Sequence, residues 1–189
     1  LFVILFIITI SLFISTFFKV SYACDDVSGT TTISSDCSSA FSITGSNADI
    51  TLSATASSSN MRLTNSGTNS SLTITSSGSL ISTNGGIVID GTVSGKSFDL
   101  ISNAGTISAT YFTIRNQKTI TTFTNTGTIT ATVGNAAILN QNSGTITTFT
   151  NSGTISAPSG QGIINTATIT TLTNTGTITG SGEDLSNFA

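Results

Sequence analysis

Histidine is absent from the 189 residues, and ionisable side chains are few, with 5 Lys+Arg and 8 Asp+Glu. Without an imidazole as ligand or base, the two cysteines, Cys24 and Cys37, have little support as a metal pair or a nucleophile. Nucleic acid is excluded as a partner, because binding it needs clustered cations. Beyond residue 23 only Arg62, Lys96, Arg115 and Lys118 remain. No phosphate-binding glycine loop, dinucleotide fingerprint or nucleophile elbow occurs. Gly85-Gly86 is not followed by the Gly-x-Asp of calcium-binding rolls. Asp90, Lys96 and Asp99 are the one ionisable cluster in mid-chain, and their flanking glycines, Gly91 and Gly95, read as solvated corners. The expectation is a chain with no cofactor, no metal and no catalysis.

Proline occurs once, at Pro158, and marks a loop outside any strand, since it cannot donate to a ladder. Scarce charge signals disorder only when apolar residues are scarce as well. Here 37% of residues are hydrophobic and recur at strand spacing, which predicts one folded, elongated domain.

What fills the chain is a repeated phrase. Ile120-Thr-Thr-Phe-Thr-Asn-Thr-Gly-Thr-Ile129 returns at Ile146 to Ile155 and at Ile169 to Ile178, displaced by 26 and then 23 residues. A period in this range is the signature of a stacked repeat. Ile alternates with Thr, the period-two pattern of a half-buried strand, and both are β-branched. Between strands stands Asn-(Thr/Ser)-Gly, read as a corner where Asn and Gly tolerate left-handed backbone. A shorter Asn-to-Ile step precedes each phrase, so the unit is read as two strand-and-turn modules. This predicts an all-β, single-stranded parallel β-helix, right-handed by default, with about 23–26 residues per rung. A propeller blade would need about 40 residues.

Equivalent positions should then stack. Asn125, Asn151 and Asn174 form one expected ladder, and Asn116, Asn142 and Asn165 a second. Ile129, Ile155 and Ile178 form an interior column, and Phe123, Phe149 and Leu172 another. From Ala40 to Thr119 the repeat is degraded, with short strands such as Phe41-Ser-Ile43, Leu72-Thr-Ile74 and Ile87-Val-Ile89. Roughly six rungs fit, a rod on the order of 30 Å long.

Residues 1–23 read as a signal peptide: an apolar run to Phe18, then Lys19-Val-Ser-Tyr-Ala23, with small residues at Ser21 and Ala23 for cleavage. A retained transmembrane anchor and a lipoprotein signal are the alternatives. Loss of Lys19 would take the net charge from −3 to −4. Residues 24–40 are expected to form an N-terminal cap held by a Cys24–Cys37 disulfide, worth about 3 kcal/mol by chain entropy. Residues 41–180 are the repeats, and residues 181–189 read as the truncated end of a fragment.

The tandem Asn-(Thr/Ser)-Gly-Thr-Ile phrase behind a signal peptide resembles the β-helical passenger region of autotransporter proteins of Gram-negative bacteria, over about Ala40 to Gly180. The resemblance implies export to the cell surface, outer-membrane association or release outside the cell. It also implies a C-terminal outer-membrane translocator barrel beyond Ala189, and a role as a structural stalk or adhesin. Partners implied are a host or neighbouring-cell surface, or its glycans. Two further readings stand beside it. Thr-Ile-Thr at Thr119, Thr128, Thr145, Thr168 and Thr177 resembles the Thr arrays of ice-binding β-solenoids. A fragment of a β-helical carbohydrate-active enzyme, whose catalytic rungs lie outside the fragment and whose activity Asp99→Asn should remove, is the third.

Overall fold

The structure, a computed structural model, describes residues 24–85, 89–90, 96–182 and 184–187. The signal segment expected at Leu1 to Ala23 lies outside the described residues, as does most of the strand expected at Ile87 to Ile89. The described residues form no helix. Every strand pairs in parallel with strands of the adjoining turns, on both sides within each sheet and on one side at its ends, giving a β-solenoid of about six turns.

One turn of the solenoid contains three strands rather than the two modules expected. Thr119–Asn125 belongs to a seven-stranded sheet of long strands, here called the long sheet. Thr128–Ala131 belongs to a six-stranded short sheet, and Ala136–Asn140 to a third sheet of seven strands. The next turn repeats the cycle with Thr145–Asn151, Thr154–Ala157 and Gln161–Asn165. Phe41–Ile43 of the third sheet is a strand that the sequence predicts, whereas Ala136–Asn140 of the same sheet escapes the period-two reading. In Ala-Ala-Ile-Leu-Asn all five residues are buried, so no polar alternation marks it.

The unequal repeat spacing is absorbed in the corners. Thr119 pairs with Thr145 and Thr145 with Thr168, so the strands keep register through intervals of 26 and 23 residues. The extra residues sit at Gln141 to Gly144 and at Thr132 to Asn135, outside the strands; the corner that contains Pro158 is one residue shorter than the Thr132 corner.

Inside, apolar side chains stack in columns. Phe123 and Phe149 lie parallel with ring centroids 4.6 Å apart and planes 4° apart. Ile129 and Ile155 pair in register and are wholly buried, while Ile178 and Leu172, on the last described turn, are only partly covered. No turn buries its own interior; neighbours do so for it.

Corner chemistry departs from the expectation of left-handed backbone. The only residues with positive φ among those described are Gly29, Asn47, Asn69 and Asn142. The Asn of the Asn-(Thr/Ser)-Gly phrase instead ends its strand pointing inward. Asn103, Asn125, Asn151 and Asn174 form one ladder, the first three buried and Asn174 exposed, each Nδ2 donating to the next Oδ1 at 2.8, 2.7 and 2.7 Å. Gly is required there by close approach. A Cβ on Gly127 would overlap the carbonyl oxygen of Gly105 one turn below, and one on Gly153 would overlap that of Gly127.

The second ladder also differs in one member. It runs through Asn116, Asn140 and Asn165, with Nδ2 to Oδ1 distances of 2.9 and 2.7 Å. Asn142, expected in that place, stands in the corner at φ 57°. The inserted corner at Gln141 to Gly144 lengthened the step from Asn to Ile, so equal spacing picked the wrong asparagine.

Candidate functional site

Among the described residues no three metal-ligating side chains come together, and each of the three sheets presents an outer surface. The long sheet offers the most regular one. Its outward positions align turn on turn. Thr32, Thr51, Thr73, Ser102, Thr124, Thr150 and Thr173 form one unbroken column of hydroxyls. Beside it run Thr122, Thr148 and Thr171, and at the strand start Thr119, Thr145 and Thr168.

A fourth column arises from a break in strict alternation. In Thr-Ile-Thr-Thr-Phe-Thr-Asn, Ile120 and Phe123 both point inward although three residues apart. Both intervening threonines therefore meet solvent, as they do at Thr147-Thr148. The extra residue enters at Asp99, where Ser70 and Ser71 of the preceding turn face Phe98 and Leu100 and the ladder bulges. From that turn on, the face is four columns wide.

Turns lie about 4.8 Å apart along the stack, and alternate residues about 6.7 Å apart along a strand. The strands Thr119–Asn125, Thr145–Asn151 and Thr168–Asn174 contain no ionisable side chain. Among the described residues, the hydroxyls of these four columns make no hydrogen bond within the protein, and all are left for solvent or a partner. Corner threonines behave otherwise. Thr126 donates to the carbonyl of Asn103, and Thr166 to that of Asn140, so these hydroxyls serve the fold.

The short sheet carries a second, narrower hydroxyl face. Thr106, Thr128, Thr154 and Thr177 form one column, and Ser108, Thr130, Ser156 and Thr179 another. Ile81 interrupts the latter one turn earlier. The third sheet has no such array: Arg115, Leu139 and Ile164 follow one another outward.

The Thr-Ile-Thr pairs expected on two faces are thus on the long and short sheets. The sequence reading missed Thr122, Thr124 and their equivalents, for which the doubled Thr between Ile and Phe was the available signal. The ionisable cluster is not brought together on one face. Asp90 belongs to the third sheet, whereas Asp99 is exposed on the long sheet and Lys96 precedes that strand half-buried.

Cys24 and Cys37 form a disulfide with a Cα–Cα distance of 5.1 Å. The stretch that it ties already carries one turn: Val27 bridges to Ile43, Thr30–Ile33 joins the long sheet, and Cys37 bridges to Ala56. Cys37 therefore heads the interior column of the short sheet. Carboxylates complete this end, Asp26 Oδ1 accepting from the Ser42 amide at 2.7 Å and Asp36 Oδ1 from the Thr55 amide at 2.9 Å. A disulfide of this kind fits an oxidising, extracytoplasmic environment.

Comparison with protein-family models, with curated proteins and with solved structures finds no match for this chain.

Proposed function

We propose that the chain is an exported, non-enzymatic β-helical rod, a structural stalk or adhesin of the autotransporter-passenger kind. The observation that carries this reading is the long sheet's outer face. On the strands Thr119–Asn125, Thr145–Asn151 and Thr168–Asn174 it is periodic and free of ionisable side chains, offers hydroxyls that the fold does not use, and stands on a filled interior. Such a face suits many weak, repeated contacts with a neighbouring-cell surface or its glycans. The disulfide-tied first turn supports an extracytoplasmic setting. A translocator barrel on the same polypeptide completes the proposal. The test is surface labelling of intact source cells with a membrane-impermeant amine reagent directed at Lys96 and Lys118. Labelling before lysis is expected, and labelling confined to lysed cells would overturn the reading.

One observation favours a second reading. Four Thr columns, in register turn on turn over three successive strands, present an array of hydroxyls and methyls, which suits an ordered water lattice. On this reading the protein shows thermal hysteresis, and Thr147→Lys, at the centre of the face, removes it without unfolding the chain. A chain that lacks hysteresis at millimolar concentration loses this second reading and keeps the first.

A further inference from the structure

Asn84-Gly85 is the one place in the chain where glycine directly follows asparagine. It stands at a corner, just after the short-sheet strand Ser79–Ser82. The fold requires glycine there by close approach, since a Cβ at Gly85 would meet Ser82 Oγ at 2.7 Å and Asn60 Cα at 3.1 Å. Asn84 is exposed, and among the described residues its carboxamide makes no hydrogen bond.

Two anchors hold the pair. The Asn84 amide donates to the Ser59 carbonyl of the turn before at 2.9 Å, and the Gly85 carbonyl accepts from the Thr110 amide of the turn after at 3.1 Å. Between them the Gly85 amide donates to Ser82 Oγ at 3.2 Å, a side-chain hydroxyl outside the ladder between turns. The buried asparagines differ on each count. The carboxamides of Asn103, Asn125, Asn140 and Asn151 are tied into their ladders, and the amide that follows each one is locked onto a backbone carbonyl of the previous turn at 2.8–3.0 Å.

We propose that Asn84 is a site of spontaneous modification, at which the Gly85 backbone nitrogen attacks the Asn84 side-chain carbonyl carbon. A carbon–nitrogen bond forms between them, the carboxamide's own carbon–nitrogen bond breaks, and ammonia leaves with the proton of the Gly85 amide. Glycine obstructs this approach least, because no Cβ stands beside the attacking nitrogen. Water then opens the cyclic imide at either carbonyl, and no oxidant or reductant takes part. One opening leaves aspartate, a new negative charge on the corner. The other leaves isoaspartate, whose main chain runs through the former side chain and is one carbon longer between the Ser59 and Thr110 anchors. The corner then no longer spans its anchors as built, and the Thr110 amide loses the Gly85 carbonyl.

The experiment ages the 189-residue chain in mildly alkaline buffer, where hydroxide draws off the amide proton. Modified residues are located by peptide mapping with mass spectrometry and by isoaspartate-specific methyl transfer. Conversion at Asn84 ahead of every other asparagine is expected, to both products. Asn84→Gln, whose longer side chain must close a larger ring, should abolish the first release of ammonia. In the isoaspartyl chain the Thr110 amide should exchange about tenfold faster than in fresh protein, as one lost hydrogen bond implies. An Asn84 that stays an amide in the folded chain while it converts in urea, earlier conversion at a ladder asparagine, or unchanged exchange at Thr110 would each overturn the proposal.

Discussion

Asn125 accepts at Oδ1 from Asn103 and donates from Nδ2 to Asn151, to the Gly127 carbonyl and to the Thr154 carbonyl, all in the interior. A buried amide is tolerated only when its polar atoms are matched, and the stack matches them by repeating the same residue every turn. Replacing one member leaves its neighbours unpaired. Asn125→Leu should cost about 2–3 kcal/mol, read as a lowered midpoint of urea unfolding with little change in slope. Gly127→Ala tests the neighbouring position. Its methyl would collide with backbone rather than a movable side chain, so a loss near the upper end of about 1–3 kcal/mol is expected by the same measurement. Both residues stand out in the sequence as a recurring pair. Their roles do not: Asn-Gly reads locally as a left-handed corner, and only the turn below reveals an inward amide and a carbonyl pressed against the glycine.

At the scale of the strand, Thr-Ile-Thr-Thr-Phe-Thr-Asn separates two jobs. Ile120, Phe123 and Asn125 serve the interior, and the four threonines serve the surface. Phe149→Ala should remove a stacked ring and leave a cavity, costing about 3–5 kcal/mol. Thr147→Lys, exposed on the same strand, should change stability by no more than about 0.5 kcal/mol. Thermal melts of the two variants side by side check this separation. If Thr147→Lys destabilises as strongly as Phe149→Ala, the threonine face is part of the structure rather than a free surface. The first turn depends on a covalent tie. A Cys24→Ser, Cys37→Ser double variant should lose about 3 kcal/mol locally, seen as faster amide exchange from Val27 to Cys37 with the turns beyond Thr106 unaffected.

For the molecule as a whole, contacts run only between adjacent turns, so stability is close to a sum of turn and interface terms. Opening should begin where a turn has a neighbour on one side only. Hydrogen exchange is expected to be slowest in the amides of Ile120 to Asn125 and Ile146 to Asn151, and fastest, among the described strands, in Thr168–Asn174 and Thr177–Gly180. Uniform protection along the stack would mean that the solenoid opens as one cooperative unit.

The sequence by itself determined the fold class, the turn length, the interior columns headed by Phe123 and Ile129, and the pairing of Cys24 with Cys37. These follow from local rules: β-branched alternation, a tandem period and two cysteines near each other in the chain. Tertiary structure decided the rest. Ala136–Asn140 is visible as a strand only once its neighbours enclose it, because burial of all five residues erases its alternation. Asn140 rather than Asn142 joins its ladder because register is set by hydrogen bonds between turns, and corners absorb inserted residues without shifting it. The four-column width of the threonine face depends on a bulge that begins at Asp99 and is passed upward by pairing. Position along a chain fixes what a residue prefers; in a solenoid, its partners lie one turn away.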